Sequence, residues 1–254
     1  MSGVGTAPAG EPPFAAAWFE EIHVGQSLRA GARGGSLGLL GELGIAIDAS
    51  AVRELRWRWL MPVSPADASH VEALVTRCRR DITGLPGSVH LDLRLVDRQG
   101  RIVQEATASM LVKARDSPAP GNDERVAADF CSDEWASLLA SALGESAAFL
   151  QATRTFDGAI GLRAGDESIQ LRVFRGRILE AGRSTPLGAT FTIAGSERTW
   201  TELALAERNE FVAVATRGGF SVSGNAYEYL RLTKALVAIF DEVRTLAAAE
   251  VAVP

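Results

Sequence analysis

Residues Gly218 to Leu246 read GGFSVSGNAYEYLRLTKALVAIFDEVRTL. Phe220 and Val222 alternate with Ser221 and Ser223, the period of a strand with one buried face, and Gly224-Asn225 supplies a turn and a helix N-cap. A long helix is predicted to follow. Its apolar positions Tyr229, Leu232, Leu236, Ile239 or Phe240, Val243 and Leu246 recur at steps of three and four, with Glu228, Arg231, Asp241 and Arg244 on the other side. From Ala235 to Phe240 the segment is apolar all round, which is more than one sheet face needs. The helix therefore either packs beneath a second element or looks into a cavity.

Upstream of this stretch lie Phe156-Asp157-Gly158-Ala159-Ile160-Gly161-Leu162, then Ile169 to Val173, then Phe191-Thr192-Ile193-Ala194-Gly195 and Trp200. Together with Phe220 to Gly224 and the apolar helix, this order of segments resembles the sterol carrier protein 2 family over roughly the last half of the chain. The resemblance implies a five-stranded sheet covered by helices, with an apolar tunnel for sterols, fatty acids or fatty acyl-CoA. Tyr229, Leu232, Leu236, Ile239, Phe240, Phe191 and Phe220 are the ligand-binding residues expected to line it. The match is one of pattern without a catalytic signature, so it implies a class of ligand rather than a reaction.

With 254 residues, 47% of them hydrophobic, the chain is long enough for two modest domains with their own cores. A net charge of -5 offers no broad basic footprint, which argues against a nucleic-acid partner or a polybasic membrane contact. Cys78 and Cys131 are too few for a disulfide framework and lack metal-binding spacing, as expected of a protein in a reducing cytoplasm. The opening MSGVGTAPAGEPP, residues 1–13, has no basic or apolar targeting pattern and reads as a disordered leader. No apolar run reaches the length that spans a bilayer.

In the first half, Trp18 to Gln26 carries a strand-like pattern, and Arg29 to Gly35 is short and glycine-rich. Ser36 to Ile47 is an apolar segment whose single charge is Glu42; its interior glycines each cost a helix about 1 kcal/mol, so only burial would hold it helical. The period then changes to two. Leu55, Trp57, Trp59 and Met61 alternate with Glu54, Arg56 and Arg58, Val71, Ala73 and Val75 with Glu72 and Thr76, and Val89, Leu91, Leu93 and Leu95 with His90, Asp92 and Arg94. A turn at Asp97-Arg98-Gln99-Gly100 leads into Ala106, Ala108, Met110 and Val112. The predicted fold class is α+β, a sheet wrapped round one glycine-rich helix.

These residues resemble the hotdog superfamily over roughly Phe14 to Arg115, and two branches compete. Phe19 to Gln26, the strand ending Trp59-Leu60-Met61-Pro62-Val63 and the run Gly100 to Ala108 are similar to MaoC-type enoyl-CoA hydratases and dehydratases. The Asp/His catalytic motif of that branch is missing, because Arg29 to Gly35 is too short to hold it. In the second branch, the PaaI-type acyl-CoA thioesterases, a His-Gly-Gly opens the central helix and an acid follows; Arg33-Gly34-Gly35 and Glu42 occupy those places here, with arginine for histidine. The physical case is separate. Gly34 and Gly35 at a helix N-terminus expose backbone N–H groups suited to a thioester oxygen, and a buried Glu42 can serve as base or nucleophile. Otherwise Glu42 reaches solvent or pairs with Arg33.

Asp116 to Arg125, with Pro118, Pro120 and Gly121, marks a linker. The predicted organisation is a hotdog-like domain over 14–115, a linker over 116–129 and a lipid-binding domain over 130–250, paired as a homodimer that covers Trp57 and Trp59. His23, His70 and His90 are isolated, with no zinc spacing, and of them His23 is a catalytic candidate only if it lies beside Glu42. No cofactor or metal is called for. The functional expectation is processing of a hydrophobic acyl-thioester, lipid or polyketide-like substrate. The alternative is a non-catalytic carrier whose first half only binds and dimerises.

Overall fold

The computed structural model describes residues 18–31, 52–62, 68–80, 87–115, 126–185 and 187–251. The chain divides into two compact units, Met1–Asp123 and Glu124–Pro254. Each is a mixed α+β or β arrangement around its own five-stranded sheet, and six α-helices occur among the described residues. Ser36 to Ile47, and with it Gly34, Gly35 and Glu42, lies outside the described residues.

In the first unit β1 (Ser27–Gly31), β2 (Val52–Trp59), β3 (Ala68–Arg80), β4 (Gly87–Asp97) and β5 (Ile102–Val112) form an antiparallel sheet in the order β1-β3-β4-β5-β2. The long strands follow from their alternation of β-branched and leucine residues with polar ones. Register places Val71, Ala73 and Val75 opposite Leu95, Leu93 and Leu91, and these opposite Gln104, Ala106 and Ala108, so they share one apolar face. At Val75/Arg77 a register shift leaves Thr76 as an extra residue, after which Cys78 rather than Arg77 faces Val89. The simple alternation read from the sequence breaks there. Phe19, in a 3-10 turn (Phe19–Glu21), is fully buried, and its ring explains Gly87: a Cβ at that position would stand 1.9 Å from Phe19 Cδ2.

The opposite face carries a ladder of alternating charge across all five strands. Arg29 lies opposite Glu72, Glu72 opposite Arg94, Arg94 opposite Glu105, and Glu105 opposite Arg58. Opposite charges so placed contribute about 0.2–1 kcal/mol per pair. Arg58 donates to Glu105 at 2.5 Å, and this hydrogen bond holds the guanidinium pKa above its ordinary value.

In the second unit a 3-10 turn (Val126–Ala128) packs against the last helix. There follow α1 (Asp133–Glu145), α2 (Ala147–Thr153), β6 (Asp157–Ala164), β7 (Glu167–Phe174), β8 (Arg177–Gly182) and β9 (Phe191–Gly195). The unit ends with α3 (Glu197–Ala204), α4 (Phe211–Thr216), β10 (Ser221–Gly224), α5 (Ala226–Arg231) and α6 (Thr233–Val251). The sheet order is β10-β9-β6-β7-β8, with β6 parallel to β9 and the other pairs antiparallel. Ser132 caps α1 by accepting from Trp135 N at 3.0 Å, and Ser196 caps α3 from Thr199 N at 3.1 Å. The β6–β7 and β7–β8 turns use Gly165 and Gly176 at φ +61° and +86°.

Three local readings need correction. After the linker the spacing of Trp135, Leu138, Leu139 and Leu143 predicts one buried helical stripe, but α1 buries Trp135, Ala136, Leu139 and Leu143, while Leu138 sits at the surface. Val222 is exposed although Phe220 is buried. The single helix expected after Asn225 is two, broken at Leu232. There α5 closes with Leu232 N donating to Glu228 O, and the Thr233 hydroxyl takes Leu230 O at 2.8 Å, displacing the carbonyl's helical partner.

Candidate functional site

The inner face of the second sheet and the helices over it enclose an aromatic cluster. Trp200, on the capped helix α3, stands 4.9 Å from the Phe240 ring, which stacks on Phe211 at 4.6 Å and meets Phe220 at 5.4 Å. Trp135 packs edge-on against Trp200 at 5.9 Å. Both indoles are satisfied: Trp200 Nε1 donates to Arg163 O at 2.8 Å and Trp135 Nε1 to Ala127 O at 3.2 Å. The close fit shows at Gly195, where a Cβ would come 2.8 Å from Phe220 Cε1.

Of the ligand-binding candidates, Phe220 and Phe240 meet in this cluster. Phe191, Phe220, Leu232, Leu236, Ile239 and Phe240 are all buried, while Tyr229 is half-buried and meets Phe191 at 5.9 Å. Beside them, between α3 and α4, is a cavity of about 370 Å³ lined by Thr199, Leu203, Val214 and Gly219 with Glu202, Glu210 and Arg217 at its polar side. Thr199 and Leu203 flank Trp200 on α3, Val214 is one turn from Phe211, and Gly219 precedes Phe220, so the cavity adjoins the aromatic cluster. Gly219 is required here: a Cβ would meet Val214 Cγ1 at 2.4 Å. Sequence reading missed Leu203 and Val214 because a cavity wall built from two short helices leaves no periodic mark; Gly218-Gly219 was the available sign.

In the first unit His23 is exposed, its backbone N–H held by Gln26 Oε1 at 3.4 Å, and Glu42, beside which it would act, lies outside the described residues. His70 belongs to the polar face, with Arg29 donating to Nδ1 at 3.3 Å and Glu72 within 3.0 Å of Nε2. Asp97 organises the β4–β5 turn. It accepts from Gln99 N at 2.8 Å, Arg101 N at 2.9 Å and Arg101 Nε at 2.8 Å. The Arg101 backbone N–H, then its guanidinium and the Gln99 N–H, hold the carboxyl below the usual carboxylate range against the opposing effect of burial. Among the described residues no three His, Cys, Asp or Glu side chains come together to hold a metal ion.

A second feature of this unit escaped the sequence reading. Gln104 is fully buried on the apolar face, and both its Nε2 and Oε1 lack hydrogen-bond partners, as does the buried Nε1 of Trp57. Leaving such a group unpaired costs about 1–3 kcal/mol each. Stepping the alternation of Met110, Ala108 and Ala106 back by two residues reaches Gln104, a polar residue at an inward position.

No family model matches the chain, and no curated protein matches it. Solved structures do. The crystal structure of sterol carrier protein 2 is 20% identical over 46% of this chain and 98% of that one, with a TM-score of 0.40. A MaoC-like dehydratase from Rhodospirillum rubrum is 17% identical over 41% of this chain and 100% of that one, at 0.31. The R-hydratase PhaJ1 from Pseudomonas aeruginosa is 14% identical over 39% and 86%, also at 0.31. The structural neighbours thus include sterol carrier proteins and MaoC-like dehydratases, each over part of the chain.

Proposed function

We propose that the protein handles a hydrophobic acyl or lipid ligand, with the second unit receiving the apolar chain and the first acting on an acyl thioester. The observation that carries this reading is the cavity of about 370 Å³ beside the aromatic cluster. Leu203, Ala206 and Val214 give it an apolar side and Glu202, Glu210 and Arg217 a charged one, the two characters that the tail and head of an amphipathic ligand require. Arg217, within 4.0 Å of Glu210, is the cation available to an acidic head. The tail would reach the interior by parting the rings around Phe240, which sets the apolar tunnel as a property of the loaded protein. Val214→Trp fills the cavity without touching the buried cluster. It is expected to weaken binding of a fluorescent fatty acid at least about tenfold, read by titration; undiminished affinity would overturn the reading.

Glu42, with Gly34 and Gly35, is the group proposed for the chemistry of the first unit, and His23 the reserve. Incubation with a panel of acyl-CoAs, following thiol release and dehydration, separates an enzyme from a carrier. Turnover that Glu42→Gln lowers about a hundredfold supports the base, whereas binding without turnover leaves a carrier. The working state proposed is a homodimer covering the β2 edge, where Trp59 is 60% exposed; a monomer in sedimentation at micromolar concentration overturns that. No described helix is long and apolar enough to cross a membrane. A cytoplasmic setting, proposed because Cys78 and Cys131 are too few for a disulfide framework, completes the reading.

A further inference from the structure

The second sheet has a face turned away from the aromatic cluster. Ile160, Leu162 and Ala164 of β6 are buried in the core, so Gly161 and Arg163 between them belong to the opposite side. Register sets two adjacent rows there. Ser223, Thr192, Gly161 and Gln170 lie side by side across β10, β9, β6 and β7, and Ser221, Ala194, Arg163 and Ser168 form the next row. Apart from Gly161, these residues line a cavity of about 280 Å³. Gly161 keeps the hollow open: a Cβ there would stand 2.3 Å from Thr192 Oγ1 and 3.1 Å from Ala189 Cβ.

The lining is rich in donors and holds no carboxylate. Gln170 is oriented by Thr185, whose backbone N–H can only donate and meets Oε1 at 3.0 Å, with the Thr185 hydroxyl on the same oxygen at 2.7 Å. The Nε2 end is therefore the one left for a ligand, and it has no protein partner among the described residues. Arg163 is the cation of the lining. Arg172, Arg183, Arg198 and Arg231 of the same unit each hold a carboxylate, whereas the exposed Arg163 guanidinium meets none among the described residues. In a chain of net charge -5, this is a patch of donors kept clear of acids. We infer that the hollow binds a phosphate monoester. Its three terminal oxygens match the donor set: the guanidinium fork takes two, and Gln170 Nε2 with the hydroxyls of Thr192, Ser168 and Ser223 serves the rest. The absent side chain at Gly161 lets the group approach the sheet closely. A carboxylate, with two oxygens in one plane, leaves part of the set unused, and a neutral polyol leaves Arg163 uncompensated. The cavity between α3 and α4 lies on the helix-covered side, so the two sites are separate.

Calorimetric titration of the full protein at low ionic strength with sn-glycerol 3-phosphate, glycerate and glycerol tests this, with phosphatidylcholine vesicles containing phosphatidic acid as a second arm. The soluble monoester should bind at least about tenfold more tightly than glycerate, and glycerol should give no measurable binding. Arg163→Gln should weaken the monoester at least about tenfold and leave the unfolding midpoint unchanged, because the bond from Trp200 Nε1 uses the Arg163 backbone carbonyl, which the substitution keeps. Thr192→Val, of similar shape, should weaken it about threefold or more. Vesicle binding that depends on Arg163 supports the site and gives the phosphate to a lipid head, whereas binding of the soluble monoester alone supports it and gives the phosphate to a free molecule. Equal affinity for glycerate, no binding in either phosphate arm, or affinity that survives Arg163→Gln overturns the inference. Fatty-acid titration of the Arg163→Gln protein should be unaltered, so failure here leaves the reading of the apolar cavity standing.

Discussion

The two units treat buried tryptophan in opposite ways. In the second, Trp135 and Trp200 each place the indole N–H on a backbone carbonyl and the ring in an aromatic cluster. In the first, Trp57 has a buried Nε1 without an acceptor, and its neighbour Trp59 is mostly exposed. A chain that solves the same problem twice and leaves it open once distinguishes structure from function: satisfied aromatics hold a core, and unsatisfied ones mark a surface kept for something else.

The comparison breaks most readily at Phe240, which joins Trp200, Phe211 and Phe220. Phe240→Ala should destabilise the second unit by about 3–5 kcal/mol in urea unfolding. A loss below about 2 kcal/mol would mean that the cluster collapses into the space and is loosely packed. A smaller effect sharpens the contrast. Trp200→Phe keeps the ring cluster but strands Arg163 O, and should cost about 1–3 kcal/mol, whereas Trp57→Phe should be neutral or stabilising. Equal losses at the two positions would erase the distinction drawn between the units.

The smallest effect concerns acid. Because the folded-state pKa of Asp97 lies below its unfolded value, the stability it supplies is present above that unfolded value, near 4, and is lost as pH falls through the folded one. Asp97→Asn should therefore flatten the acid limb of the first unit's stability curve and leave neutral-pH unfolding of the second unit unchanged. An unaltered acid limb would show that the turn contributes through its backbone bonds alone.

Much of this was legible in the residues. Period-two alternation located β3, β4 and β5, and the three- and four-residue spacing found the buried face of α6. What escaped was set by groups distant in sequence or by local competition. The extra residue at Thr76 depends on pairing with β4, and the break at Leu232 on a threonine hydroxyl. For the site, burial of Phe191, Leu236 and Phe240 was readable, but whether apolar residues pack together or line a space depends on shape, which periodicity does not encode. Gln104 was hidden because its meaning lies in what does not bond to it.

The pairing of β6 with β9 also orders events in time. β6, β7 and β8 are joined by tight turns and can assemble as soon as Gly182 has been made. β9 docks beside β6 from the far side, in parallel, with Ile160 meeting Phe191 across an intervening meander, and β10 joins only through β9. Such a non-local closure adds a slow step that the meander does not share. On the ribosome, half of this sheet would thus wait with the Ile160 and Leu162 edge unsealed until the chain had grown past Gly195, and the aromatic interior until Phe240 had emerged.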